Sequence, residues 1–293
     1  MKHQTKSKSI AVVGPFSGPR AVYGEMLKKG VLRANVNIAK PLDLEFYDDM
    51  GDPLRAKAIA EEVTTSGKVA VVGHFNSFSA LEALPIYKGA QIPLLLPAST
   101  NMNILSQFDN VLRFCANDEL QIRIVKEYCL HHNFKIGILL HDQTSYGKDL
   151  YSLFLKSKGF LSIKEFSNET LKNVDFVYFA GTHYNAAHIT KRLLKMNYQG
   201  AIFLSDDSYT DEFIQLLGKE NAKNCLVVAA QEDYEQTSYL ATKYLIDNFE
   251  REDYFSSIVE KIDHGFSSTG ENIQAGWSLK TIQNKKFVEV KNH

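Results

Sequence analysis

Two α/β lobes, each built on a doubly wound parallel sheet, are predicted for this chain from three observations. Its 293 residues exceed one ordinary core and suit two lobes of about 100–150 residues each. Short apolar runs alternate with amphipathic stretches from the first residues onward, the pattern of βαβ units. The rhythm breaks near Ala116 to Asp118 and then restarts, with no low-complexity linker, so the lobes are expected to be joined by short hinge crossings.

The first strand is Ser9 to Val13, which runs into Gly14-Pro15-Phe16-Ser17-Gly18-Pro19, a turn too rich in Gly and Pro to continue as strand or helix. A helix follows from about Gly24 to Ile38. Asp52-Pro53 opens the next, with Asp as N-cap and Ala56, Ile59, Ala60 and Val63 on one face, and Gly67 ends it. Val69 to Gly73 is a β-branched buried strand, and Ser79-Ala80-Leu81-Glu82 fits a capping box. Leu94 to Leu96, Ile136 to Leu140, Phe176 to Ala180, Ala201 to Leu204 and Leu226 to Ala229 are further strands. Trp277 to Leu279 and Phe287 to Val290 are predicted to pair around Asn284-Lys285.

Composition narrows the function classes. The 33 Lys and Arg nearly balance 34 Asp and Glu without a basic stripe, which argues against nucleic acid as a partner. No apolar run approaches the ~20 residues of a membrane span, and Met1 to Ser9 lacks a following apolar signal core, so the chain as given is expected to be soluble. Cys115, Cys129 and Cys225 are widely spaced without a C-x-x-C pair, and buried free thiols are expected. Nucleophile-elbow, phosphate-loop, dinucleotide and zinc-helix motifs are all missing; His131-His132 and His183 with His188 are poorly spaced for a chelate. No enzyme, metal or cofactor is therefore predicted.

In parallel sheets ligands gather beyond the carboxyl ends of the strands. Those loops hold Ser17, Asn76-Ser77, Ser99-Thr100, Asp142 to Tyr146, Thr182-His183-Tyr184 and Asp206-Asp207. Hydroxyls and helix N-termini suit a carboxylate, and a carboxylate with a strand-end carbonyl suits an ammonium, so the set as a whole suits a zwitterion. Taken singly, Ser77, Ser79 and Asp206-Asp207 serve equally well as helix caps.

Ile10 to Pro19, Tyr23-Gly24, Phe46-Tyr47-Asp48-Asp49 and Asp52-Pro53 resemble, in order and spacing, the opening of branched-chain amino-acid binding proteins of ABC importers, the type 1 periplasmic binding proteins. Val72 to Ser77 and Pro97 to Asn101 resemble that family's two ligand loops in domain one; His141-Asp142, Tyr146-Gly147 and Asp175 to Tyr178 resemble landmarks of its second domain. The resemblance extends to about Gln231, after which the chain is shorter than the family's, leaving Thr237 to Asp263 as the returning part of domain one. It implies that Ser77 and Thr100 bind a ligand carboxylate, that the Ala98 carbonyl with Asp118 and Asp207 takes the ammonium, and that Tyr23 and Phe75 flank the side-chain pocket. Tyr146 and the loop holding His183 would close from the second lobe. The resemblance also implies hinge crossings near Ala116, Tyr234 and Phe266, hence 1–116 with 234–266 for lobe 1 and 117–233 with 267–293 for lobe 2, with a ligand cleft between them. Asp207 stands where the family usually has a longer Glu. A disulfide of some members joins the positions that are here Gly51 and Asn76. The implied function is non-enzymatic binding of a small amino acid by hinge closure and delivery to an ABC permease, in the periplasm or outside the cell. The alternative is a sensor or regulator on the same scaffold, with a cytoplasmic location open to it.

Overall fold

The computed structural model describes residues 9–36, 38–218, 222–248 and 265–290. Its elements run β1 (Ser9–Gly14), α1 (Ala21–Asn35), β2 (Asp43–Asp48), α2 (Pro53–Thr65), β3 (Ala70–Val72), α3 (Ser77–Ala90), β4 (Leu94–Leu96), β5 (Val111–Arg113), α4 (Asp118–His131), β6 (Ile136–His141) and α5 (Ser145–Ser157). They continue with β7 (Ser162–Lys164), β8 (Phe176–Ala180), α6 (His183–Lys195), β9 (Ala201–Leu204), α7 (Asp211–Leu217), β10 (Cys225–Ala230), α8 (Tyr234–Asn248), β11 (Trp277–Gln283) and β12 (Lys286–Glu289). Two compact units result: the described residues of Met1–Asn117 with Glu232–Ala275, and those of Asp118–Gln231 with Gly276–His293.

The first unit holds a five-stranded sheet in the order β2-β1-β3-β4-β5, parallel throughout. Successive side chains of a strand face opposite ways, and β1 feeds two cores accordingly. Ile10 and Val12 pack with Leu27 and Val31 of α1 and Ala241 and Leu245 of α8, whereas Ala11 and Val13 join Ala60, Leu84 and Tyr87 from α2 and α3 on the other face. Helices α1 and α8 meet closely at Gly30, where an added Cβ would lie 2.2 Å from the Glu235 carbonyl oxygen. An Arg33–Glu235 ion pair of 2.7 Å closes the same contact.

The predicted N-cap of α2 is present: Asp52 Oδ1 accepts from the N–H groups of Leu54 and Arg55 at 2.8 and 2.9 Å. The predicted capping box is not. Helix α3 starts at Ser77, so Ser79 lies inside its first turn, buried, with a hydroxyl that finds no partner among the described residues. Phe266 packs on Phe114 and Tyr244 at ring separations of 5.0 and 5.7 Å, inside the first unit. Residues 267–275, expected in the second lobe, cluster with the first unit, where the Arg113 N–H donates to the Gly270 carbonyl and the Asn272 N–H to the Arg113 carbonyl. Of the predicted return Thr237 to Asp263, α8 is described and residues 249–263 lie outside the described residues.

In the second unit the order β7-β6-β8-β9-β10 repeats the first sheet's pattern with the same parallel pairing. Strands β11 and β12 extend it as an antiparallel hairpin on β10. Asn284 and Lys285 both have positive φ, 50° and 59°, as a tight primed turn requires, which gives the hairpin predicted around that pair. Cys115, Cys129 and Cys225 are buried free thiols. Burial pushes the Cys129 and Cys225 thiols up to about 12. The chain order reverses between β1 and β3 in one unit and between β6 and β8 in the other, the kind of place where open α/β sheets bind ligands.

Candidate functional site

Each unit carries a polar constellation at the carboxyl ends of its strands, and each is described by itself. In the first unit, Asp48 at the end of β2 fixes the turn after β1: its carboxylate accepts from the N–H of Phe16 at 2.8 Å, the N–H of Ser17 at 3.2 Å and the Ser17 hydroxyl at 2.5 Å. Burial works against its charge, but these bonds outweigh it and hold the carboxyl below its ordinary range. Beyond β3, the His74 ring is fully buried between Asp49 Oδ2 at 2.8 Å and the Tyr87 hydroxyl at 3.1 Å. Ser99 ties the next loop down by donating to the carbonyls of His74 and Phe75.

The expected first-lobe residues cluster around these loops. Ser77 Oγ accepts from the N–H groups of Thr100 and Asn101, at 3.1 and 3.3 Å, so α3 and the loop after β4 are joined through this hydroxyl. The Thr100 and Asn101 carbonyls in turn accept from the buried Arg113 guanidinium. Ala98 is buried within the core on that side of the sheet. Tyr23 and Phe75 stack at 5.4 Å, and Tyr234 meets Phe75 edge-on at 5.2 Å. A Cβ built on Gly51 would lie 3.1 Å from Asn76 Oδ1, so these two positions lie side by side.

In the second unit Asp118 opens α4 and is buried. Gln121, one turn on, exchanges two bonds with Asp206: its amide donates to Oδ1 at 3.0 Å and its carbonyl accepts the Asp206 N–H at 3.1 Å. The Tyr146 hydroxyl donates to that same Asp206 Oδ1. Burial, reinforced by the Asp206 charge, keeps the Tyr146 phenol protonated far above its ordinary range. Asp207 faces the other way and is engaged by His183, whose N–H and Nδ1 both reach Oδ2, at 2.8 and 3.1 Å. His183 Nε2 lies 3.1 Å from Glu212 Oε2, and the Tyr184 hydroxyl donates to the other Glu212 oxygen. Burial disfavours the imidazolium, yet Asp207 and Glu212 outweigh it and raise the His183 pKa above its ordinary value. Of the expected residues, Tyr146 thus bonds to Asp206, and Asp207 to His183.

Residues 8–157 match the family model described as periplasmic binding protein. The chain belongs to the periplasmic binding protein family. Among curated relatives of this periplasmic binding protein are an amino acid binding protein of Pseudomonas aeruginosa, 28% identical over 74% of the chain and 65% of the relative. Another is Leu/Ile/Val-binding protein homolog 1 of Brucella suis, 27% identical over 70% of the chain and 62% of the relative. The alignments therefore span less than two thirds of those relatives' own lengths. The fold matches leucine binding protein LivK of Thermotoga maritima, with a TM-score of 0.83 at 19% identity over 97% of this chain and 98% of that one. It also matches LivJ of Streptococcus pneumoniae in complex with isoleucine, at 0.81 and 19% over 96% and 98%. The resemblance read from the loops and the two-lobed α/β fold are both borne out.

Gln121, Glu212 and Arg113, with Glu271 paired to Arg113 at 3.3 Å, take part in these constellations without having been singled out from the sequence. Arg113 carried a readable signal, a charge within the run Val111 to Cys115 that otherwise suits a buried strand. Gln121 lies three residues after Asp118 and hence on the same helix face.

Proposed function

We propose that this periplasmic binding protein takes up a small amino acid, branched-chain or similar, by hinge closure of its two lobes and delivers it to the membrane permease of an ABC importer outside the cytoplasm. No bond is made or broken. In this reading Ser77, Thr100 and the start of α3 receive the carboxylate, Ala98, Asp118 and Asp207 the ammonium, and Tyr23, Phe75, Tyr146 and His183 enclose the rest. The names of the relatives and the isoleucine in the LivJ complex support the ligand class.

The observation that carries the reading is the Ser77 hydroxyl. Its oxygen already accepts two backbone N–H groups, so its remaining hydrogen-bonding capacity is its proton, which has no acceptor among the described residues. A donor held in place at a helix N-terminus matches a carboxylate. The second unit supplies the opposite charge in Asp118, Asp206, Asp207 and Glu212. A thermal-shift screen of the proteinogenic amino acids tests it: a ligand bound only by the folded chain raises the melting temperature by mass action. An aliphatic amino acid is expected to do so, and Ser77→Ala is expected to weaken it by about ten- to a hundredfold in calorimetry, the loss of one hydrogen bond to a charged group. No shift from any amino acid, with a clear shift from a sugar, would overturn the reading.

A further inference from the structure

Arg113 ends β5 with its whole side chain buried. Its Nη1 donates to the Thr100 carbonyl at 3.0 Å and its Nη2 to the Asn101 carbonyl at 2.5 Å. The one carboxylate paired with it among the described residues is that of Glu271, 3.3 Å from Nη1, and its Nε has no partner there. A fully buried guanidinium whose one carboxylate partner is itself part-exposed retains a strong local field, because little water is near to screen it.

That field has a defined route outward. The carbonyl of Thr100 and the N–H of Asn101 belong to one peptide group. Its oxygen is bonded to Arg113 and its N–H to Ser77 Oγ. Hydrogen bonds arranged head to tail polarise one another. Charge drawn toward the guanidinium makes this N–H a stronger donor, and an oxygen bonded to a stronger donor releases its own proton more readily. We propose that Arg113, without touching the ligand, is a positioning residue that primes Ser77 to donate to a carboxylate, with Glu271 setting how much of its charge is felt. This inference rests on the amino-acid reading above.

The test compares L-leucine with L-leucinamide, which keeps the ammonium and side chain but has no anionic carboxylate, by calorimetric titration of the full chain. Arg113→Gln is expected to weaken leucine binding about tenfold or more, the scale of a hydrogen bond to a charged group, while changing leucinamide little. Glu271→Gln, which leaves the carbonyl contacts in place, is expected to raise the preference for leucine over leucinamide. Should Arg113→Gln fail to fold, the Glu271→Gln preference decides alone. Equal loss of both ligands in Arg113→Gln, or an unchanged preference in Glu271→Gln, overturns the role assigned to Arg113 while leaving the amino-acid reading intact. A parent protein that binds neither leucine nor any other amino acid overturns both.

Discussion

Ser79 and Ser77 are two residues apart and have opposite fates. The Ser79 hydroxyl is fully buried and unsatisfied among the described residues, whereas the Ser77 hydroxyl joins two loops. Removing a buried hydroxyl that makes no bond removes a desolvation cost, so Ser79→Ala should leave stability unchanged or raise it by up to about 1 kcal/mol in urea unfolding. A loss exceeding that would show that the hydroxyl has found a partner. The sequence presented both serines as possible caps, because a helix start is defined by backbone dihedrals that composition does not encode at a resolution of two residues. Arg113 shows a different limit. Its charge in an apolar run was visible, but its acceptors are backbone carbonyls, to which any sequence could contribute.

Strands β4, β8 and β9 match their predicted spans, since each is a short apolar run buried on both faces. Strands β2 and β7 escaped notice because both lie at the edge of the parallel array and carry exposed polar residues. Asp142 shows how neighbouring elements are held together. It follows β6, and its two oxygens accept from Thr144 next to α5 and from Thr182 and Asn185 at the start of α6. Burial works against its charge, but those donors prevail and depress its pKa. A carboxyl depressed on folding stabilises the native state above its unfolded pKa of about 3.9, and that contribution is lost as pH falls through the lower native value. Asp142→Asn should therefore be less stable than the parent by a margin that is constant from neutral pH down to about pH 5. Below about pH 4 the margin should narrow, which urea unfolding at a series of pH values would reveal. A margin independent of pH throughout would mean that the carboxylate charge contributes nothing.

At the scale of the molecule, the chain passes between its units at Asn117–Asp118, Gln231–Glu232 and Ala275–Gly276. The interrupted βαβ rhythm near Ala116 to Asp118 falls at the first of these. The run Phe266 to Ala275 has neither periodicity nor a strand of its own, and backbone bonds to Arg113 tie it to the first unit. If ligand closes a hinge, small-angle scattering should record a smaller radius of gyration with saturating L-leucine than without it; an identical radius in both would contradict the mechanism. The pairing of α1 with α8 also sets an order of events during synthesis. Helix α1 is finished by Asn35, but the partner that covers Leu27 and Val31 starts at Tyr234. By then every parallel strand of the second unit has been synthesised. The first unit thus stays open until α8 has been made, and until then the apolar face of α1 is open to chaperones and to other nascent chains.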